Sequence, residues 1–257
     1  MKVRHNPNTK HKHIRHDSVK HSGTGNQLVL PFGLNQEASF ANYFGETNAR
    51  PSSMLECAVS DAIESYIFIA GPEGVGKSHL AFSALKQFEE TGRQAGYVAL
   101  NELDDIPDSA LESFFDDLYV FDLLVLDDVH DWLGSRARET TLFNLFNDFK
   151  AMGGCLILTS NCTVSQMSLS LPDLASRLLS GLSLRLEPLR DDEKETALRR
   201  VADSRGLDMS IEVSSYIIKR SARNMGQLLN VLDALDRALW VEKRMLTVPF
   251  VKKVMAW

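Results

Sequence analysis

Apolar residues along this chain gather into short unbroken runs separated by amphipathic stripes. The runs at 66–70, 96–100, 121–126, 155–160 and 182–186 have the length and the Ile, Val, Leu and Phe content of buried strands. Between them the spacing changes to that of a helix. Leu80, Phe82, Leu85 and Phe88 recur at helical intervals, with Gly92 beyond them as a stop. Leu142, Leu145, Phe146 and Phe149 form a stripe ahead of Gly153 and Gly154, which predicts a helix over 136–152. Further helices are expected over 54–64, within 108–118 and from Leu171 onward, and His130 and Trp132 are expected on a loop. Apolar strands alternating with amphipathic helices predict an α/β fold, a five-stranded parallel sheet covered on both faces, over residues 34–188. From 189 to 257 no strand is needed. Helices are expected at 191–202, 211–219, 226–243 and 248–254, with breaks at Gly206, Asn224 and Thr247. Packed through Leu228, Leu229, Val231, Leu232, Leu235 and Leu239, they would make a small all-helical lid.

Candidate chemistry concentrates at the carboxyl ends of the expected strands. After the run at 66–70 comes Gly71-Pro72-Glu73-Gly74-Val75-Gly76-Lys77-Ser78, a complete G-x-x-x-x-G-K-[ST] phosphate loop. Gly71, Gly74 and Gly76 let backbone N–H groups curl around an anion, at the positive end of the next helix. Lys77 would reach the β and γ oxygens of ADP or ATP, and Ser78 would offer its hydroxyl to Mg²⁺. His79, next in line, is expected to pack or cap locally beside the nucleotide. The third strand runs into Asp127-Asp128, and charges there need a cation or partners. Asp127 is expected to bind Mg²⁺, Asp128 to orient or deprotonate the attacking water, and Asn161 to reach the γ-phosphate or that water from the end of the fourth strand. Phe40, Tyr43 and Phe44 either cover a bound base or seal the sheet edge.

Charge alters the picture at the N-terminus. Residues 1–21 carry six Lys/Arg against Asp17 alone, a local net charge of +5, so the remainder of a chain at −6 stands at −11. An acidic body argues against broad duplex binding, and the basic leader over 1–26, with five of the seven histidines, reads as a disordered extension. It lacks the apolar core of a signal peptide, and no apolar run is long enough to span a bilayer, so a cytoplasmic location without membrane contact is expected. Cys57, Cys155 and Cys162 have no metal-ligand spacing. Gln27-Leu28-Val29-Leu30-Pro31-Phe32 is an apolar peptide between polar neighbours. By composition it docks either on this protein's own body or in a partner's groove.

The phosphate loop, Asp127-Asp128, Asn161, the motif around Leu174 to Leu178 with Arg177, and a helical lid together resemble the AAA+ ATPases of the DnaA clade. The likeness is stronger to their Hda-like branch and spans roughly residues 27–257. In that branch the peptide matching 27–33 (Gln27, Leu28, Leu30, Pro31 and Phe32 as contacts) docks on the DNA polymerase III β sliding clamp. Arg177 matches an arginine finger that reaches ATP on a neighbouring subunit, here DnaA. Phe40, Tyr43 and Asn48 fall where the family borders its adenine pocket. The resemblance implies a regulator that bridges the DNA-loaded clamp and DnaA, stimulates hydrolysis of DnaA-bound ATP, prevents reinitiation, and contacts DNA mainly through the clamp complex. A homodimer that hides Arg177 is also compatible with it. One departure stands out: Gly226 occupies the place of the lid's sensor arginine, with Arg223 three residues before it, which implies weak or absent intrinsic hydrolysis. The expected chain stops after its lid, without a duplex-binding domain. A helicase loader and an autonomous motor ATPase are the competing readings.

Overall fold

Side chains of the first strand point alternately to two cores, and the computed structural model shows both faces of it covered. Residues 38–60, 65–104, 106–221, 224–242 and 244–257 are described. The peptide from Gln27 to Phe32, the basic leader and Arg223 lie outside them. The elements run α1 (Ala49–Ser60), β1 (Tyr66–Ala70), α2 (Lys77–Glu89), β2 (Ala95–Ala99), α3 (Asp108–Asp116), β3 (Leu123–Asp127), α4 (Val129–Trp132), α5 (Arg136–Met152), β4 (Cys155–Ser160), α6 (Pro172–Leu178) and β5 (Leu182–Arg185). All strand pairs are parallel, in the order β2-β3-β4-β1-β5. Tyr66, Phe68 and Ala70 enter the core made by α3, α4, α5 and α6, whereas Ile67 and Ile69 enter the one made by α1 and α2. The sheet is thus buried on both sides, which is why its strands read as continuous apolar runs.

Local chemistry sets most boundaries. The side chain of Ser135 accepts from Arg138 N at 3.2 Å to start α5, and Gly153, at φ +73°, ends it. Two expectations are corrected. The first helix begins at Ala49 rather than at 54, because Pro51 lies in its first turn, where a missing N–H costs no intrahelical bond. Trp132 is fully buried at the end of the short helix α4, on no exposed loop, and its ring lies beside Phe115 and under the guanidinium of Arg138.

The lid comprises α7 (Asp191–Ser204), α8 (Ile211–Arg220), α9 (Met225–Glu242) and α10 (Val248–Met255) around a third core that includes Leu198, Val213, Ile217, Leu228, Leu232 and Leu235. Leu229 departs from the expected packing: it faces the cleft between lid and sheet. A buried carboxylate fastens the lid to the segment before α1. Glu193 accepts from Thr47 N at 2.8 Å, Thr47 Oγ1 at 2.6 Å and Arg190 N at 2.9 Å. Burial alone would raise its pKa, but these bonds and the charge of Arg190 hold it down to about 2. Among the described residues no helix is long and apolar enough to cross a membrane.

Candidate nucleotide-binding site

The phosphate loop leaves β1 at Gly71, whose N–H still joins the sheet through Ser160 O at 3.0 Å. It then closes into the N-terminus of α2. Gly74 and Gly76 have φ of +75° and +97°, backbone angles that other residues adopt only under strain. Space excludes side chains there as well. A Cβ on Gly76 would lie 2.6 Å from the Tyr43 ring, and one on Gly74 would lie 2.6 Å from the side chain of Asn224, at the start of α9. The loop is therefore held from one side by Tyr43, whose hydroxyl donates to Val75 O at 2.9 Å, and from the other by the lid.

A cleft of about 260 Å³ opens over this loop. Its phosphate end is lined by Gly74, Gly76, Lys77, Ser78, Asp128 and Asn161, and its apolar wall includes Leu189, Ala197, Val201, Met225 and Leu229 from the linker and lid. Tyr43 and His79 border it, their ring centroids 5.6 Å apart. His79 Nε2 lies 3.0 Å from Ser39 O, so it packs locally and lines the cleft at once. Burial lowers its pKa, with the bond to Ser39 opposing. Asn48, expected beside the base, pairs with the backbone N and O of Glu187 at 2.9 and 2.8 Å, and its side chain also hydrogen-bonds Tyr43 at the border of the cleft. Phe40 packs into the core on the α1 and α2 side, and Phe44 takes its place at the cleft.

Lys77 is 6% exposed and donates to Asn161 Oδ1 at 2.5 Å and Pro72 O at 3.3 Å. Burial pulls its pKa below the usual lysine value, while Asp128, Asp127 and Glu73 oppose that shift. Asp127, the last residue of β3, is buried and accepts three hydrogen bonds: Ser78 Oγ and Tyr97 Oη each donate to Oδ2 at 2.7 Å, and Thr159 Oγ1 donates to Oδ1. Asp128 differs. It adopts φ +59°, ψ +48°, and its N–H bonds Thr159 Oγ1 at 2.9 Å, so the same threonine holds the carboxylate of Asp127 and the backbone of Asp128. Burial, then the charge of Asp127, raises the Asp128 pKa, with the charge of Lys77 opposing. A raised pKa and access to the cleft suit a proton acceptor for water.

The hydroxyl of Ser78 and the carboxylate of Asp127 are adjacent hard oxygen donors. They fit Mg²⁺, which takes one or two carboxylates and completes its shell with water and phosphate. Among the described residues no cluster of three His, Cys, Asp or Glu could hold a metal ion. Tyr97 and Thr159 went unnoticed in the sequence. Thr159 left a trace, as one of two hydroxyl residues that close the apolar run Leu156-Ile157-Leu158; Tyr97 left none, because only the pairing of Ala99 with Asp127 brings β2 alongside.

Arg177 does not join this cleft. It lies at the end of α6, half-buried, with its guanidinium carbon 5.7 Å from the Phe146 ring centroid and 6.0 Å from that of Phe143. Among the described residues no carboxylate pairs with it. Gly226 lies over the phosphate loop, where a Cβ would be 3.8 Å from Gly74 Cα, and it brings no cation there.

Residues 34–185 match the family model of the bacterial DnaA ATPase domain, and residues 191–255 match that of the Hda lid domain. Among solved structures, domain III of the Thermotoga maritima replication initiation protein DnaA is similar with a TM-score of 0.76 at 21% identity, over 87% of this chain and 98% of that one. AMPPCP-bound DnaA from Aquifex aeolicus gives 0.69 at 21% identity, over 82% and 69%. The Thermotoga maritima RuvB Holliday junction branch migration motor gives 0.65 at 21%, over 86% and 72%. At these identities the structural likeness speaks for the fold.

Proposed function

Since this chain belongs to the bacterial DnaA ATPase family and carries a lid of the Hda type, we propose that it regulates replication initiation. In this reading it bridges the DNA-loaded DNA polymerase III β sliding clamp and DnaA, and it stimulates hydrolysis of the ATP that DnaA holds, so that reinitiation is prevented. The observation that carries the proposal is the placement of Arg177. A cation outside its own nucleotide cleft, directed by two aromatic rings and neutralised by no carboxylate among the described residues, is suited to a phosphoryl group on another subunit. The chain's own cleft holds ADP or ATP through the phosphate loop and Lys77, with Mg²⁺ at Ser78 and Asp127. That nucleotide keeps the lid and sheet in register. With Gly226 over Gly74, its hydrolysis is slow. The clamp contact falls to Gln27, Leu28, Leu30, Pro31 and Phe32, and DNA is met mainly through the clamp complex. The place of action is the cytoplasm.

The test is single-turnover hydrolysis of labelled ATP prebound to DnaA, with clamp loaded on DNA, with and without this protein. Acceleration is expected, and Arg177→Ala should abolish it while leaving clamp binding intact; an arginine finger contributes roughly 10³- to 10⁵-fold. Deleting residues 27–32 should abolish clamp binding. Full stimulation by the Arg177→Ala protein would overturn the trans role, and the absence of any acceleration by folded, clamp-bound protein would assign it another client.

A further inference from the structure

His130 stands outside the phosphate-binding set, yet it touches one of its members. The ring sits on α4, two residues beyond Asp128, with 13% of its side chain exposed. Its Nδ1 accepts the backbone N–H of Asn161 at 3.3 Å. An imidazole that accepts at Nδ1 has its ring N–H at Nε2. That nitrogen lies 3.3 Å from Asp131 Oδ2, an acceptor placed to fix this tautomer. On the far side, the Asn161 side chain takes the Lys77 ammonium. An unbroken line of contacts therefore runs Asp131, His130, Asn161, Lys77.

Asn161 needs such a hold. It is an exposed residue at a bend just past the last residue of β4, beyond the ladder that pairs Ser160 with Ala70. Among the described residues its amide oxygen meets a single protein partner, Lys77, whose other task is a phosphate. When Lys77 turns to phosphate, the side chain of Asn161 is released, and the ring of His130 still anchors its backbone N–H. A second tie runs in parallel, from Asp128 N to Thr159 Oγ1. Together they bind the segment after β3 to the end of β4.

We infer that His130 is a positioning residue that aims Asn161 at the terminal phosphate of a bound nucleoside triphosphate. The inference rests on the nucleotide-binding reading of the cleft. It makes a demand that a merely structural role would not: His130 matters for a triphosphate and is nearly silent for a diphosphate, which has no terminal group for Asn161 to meet. It also depends on which atom of the side chain accepts. An asparagine can place its amide oxygen near the position of Nδ1, whereas a glutamine places its polar end near that of Nε2.

The full chain and its His130→Ala, His130→Asn and His130→Gln variants would be titrated with fluorescent ADP and with a fluorescent non-hydrolysable ATP analogue, both with Mg²⁺. His130→Ala is expected to weaken the triphosphate analogue about 5- to 10-fold, the scale of one lost hydrogen bond, and to leave ADP within about twofold. His130→Asn should restore triphosphate affinity and His130→Gln should not. Equal losses for both nucleotides, or equal rescue by Asn and Gln, would reduce His130 to a filler of space. A wild-type protein that binds neither nucleotide would overturn the reading of the cleft and this inference with it.

Discussion

Two cations on two helices are treated in opposite ways by this fold. Lys77, at the start of α2, is buried, bonded to Asn161 and Pro72, and faced by Asp127, Asp128 and Glu73. Arg177, at the end of α6, lies over the rings of Phe143 and Phe146, and no carboxylate pairs with it among the described residues. Carboxylates around Lys77 make a charge tolerable inside the chain and commit it to the cleft there. Aromatic faces do something else. They fix the direction of a guanidinium through its attraction to the ring quadrupole and leave its full charge for an anion arriving from outside. Under the proposed function, the contrast separates a site that holds a nucleotide from one that would act on a partner's.

Exchanging the lesions should expose that separation most clearly. Arg177→Ala is expected to remove the 10³-fold or larger stimulation of a partner and to leave the chain's own nucleotide affinity within about twofold. Lys77→Ala should do the reverse, weakening binding of its own nucleotide roughly 10- to 100-fold by calorimetry, since a charge-assisted contact is worth about 1.5–3 kcal/mol. Loss of both functions in either variant would collapse the distinction.

The lid closes over Lys77 and not over Arg177, so its fastening at Glu193 offers a smaller, one-sided lesion. The Glu193 carboxylate is held at about 2, below the ordinary 4.5, and so favours the folded state above pH 4.5. That contribution declines as pH falls from 4.5 towards 2. Denaturant unfolding at stepwise lower pH should show the decline in the wild type and a flatter profile in Glu193→Gln, which should also be less stable at pH 7 by about 1–3 kcal/mol. An unchanged slope in the variant would remove Glu193 from the account. The smallest effect is expected at the ring under Arg177. Phe143→Leu keeps an apolar side chain but loses the π face, worth about 0.5–1 kcal/mol, so stimulation should fall roughly two- to fivefold with own-nucleotide binding unchanged.

Much of this was legible along the chain where neighbours in sequence do the work. The helix Arg136–Met152 and the strand Cys155–Ser160 follow residue for residue from the stripe of Leu142, Leu145, Phe146 and Phe149 and from the glycines that end it. Trp132 was misplaced because a single buried turn between Asp128 and Gly134 has no period to read. Leu229 was misassigned for a related reason. Along α9 it neighbours Leu228 in sequence but sits about 100° around the axis, beside the cleft-lining sector of Met225 and Gly226.

The sequence by itself determined the phosphate cradle, because Gly71 to Ser78 is one contiguous piece of backbone whose conformation and chemistry are local. It also determined that Asp127 and Asp128 end a buried strand. Only the tertiary structure decided what those groups meet. Ser78 reaches Asp127 across 49 residues, Lys77 reaches Asn161 across 84, and Thr47 reaches Glu193 across 146. Strand order and register bring Tyr97 and Thr159 onto Asp127, and the path of α6 sets Arg177 away from the cleft. Such meetings depend on how separate elements pack, and local periodicity carries no record of that.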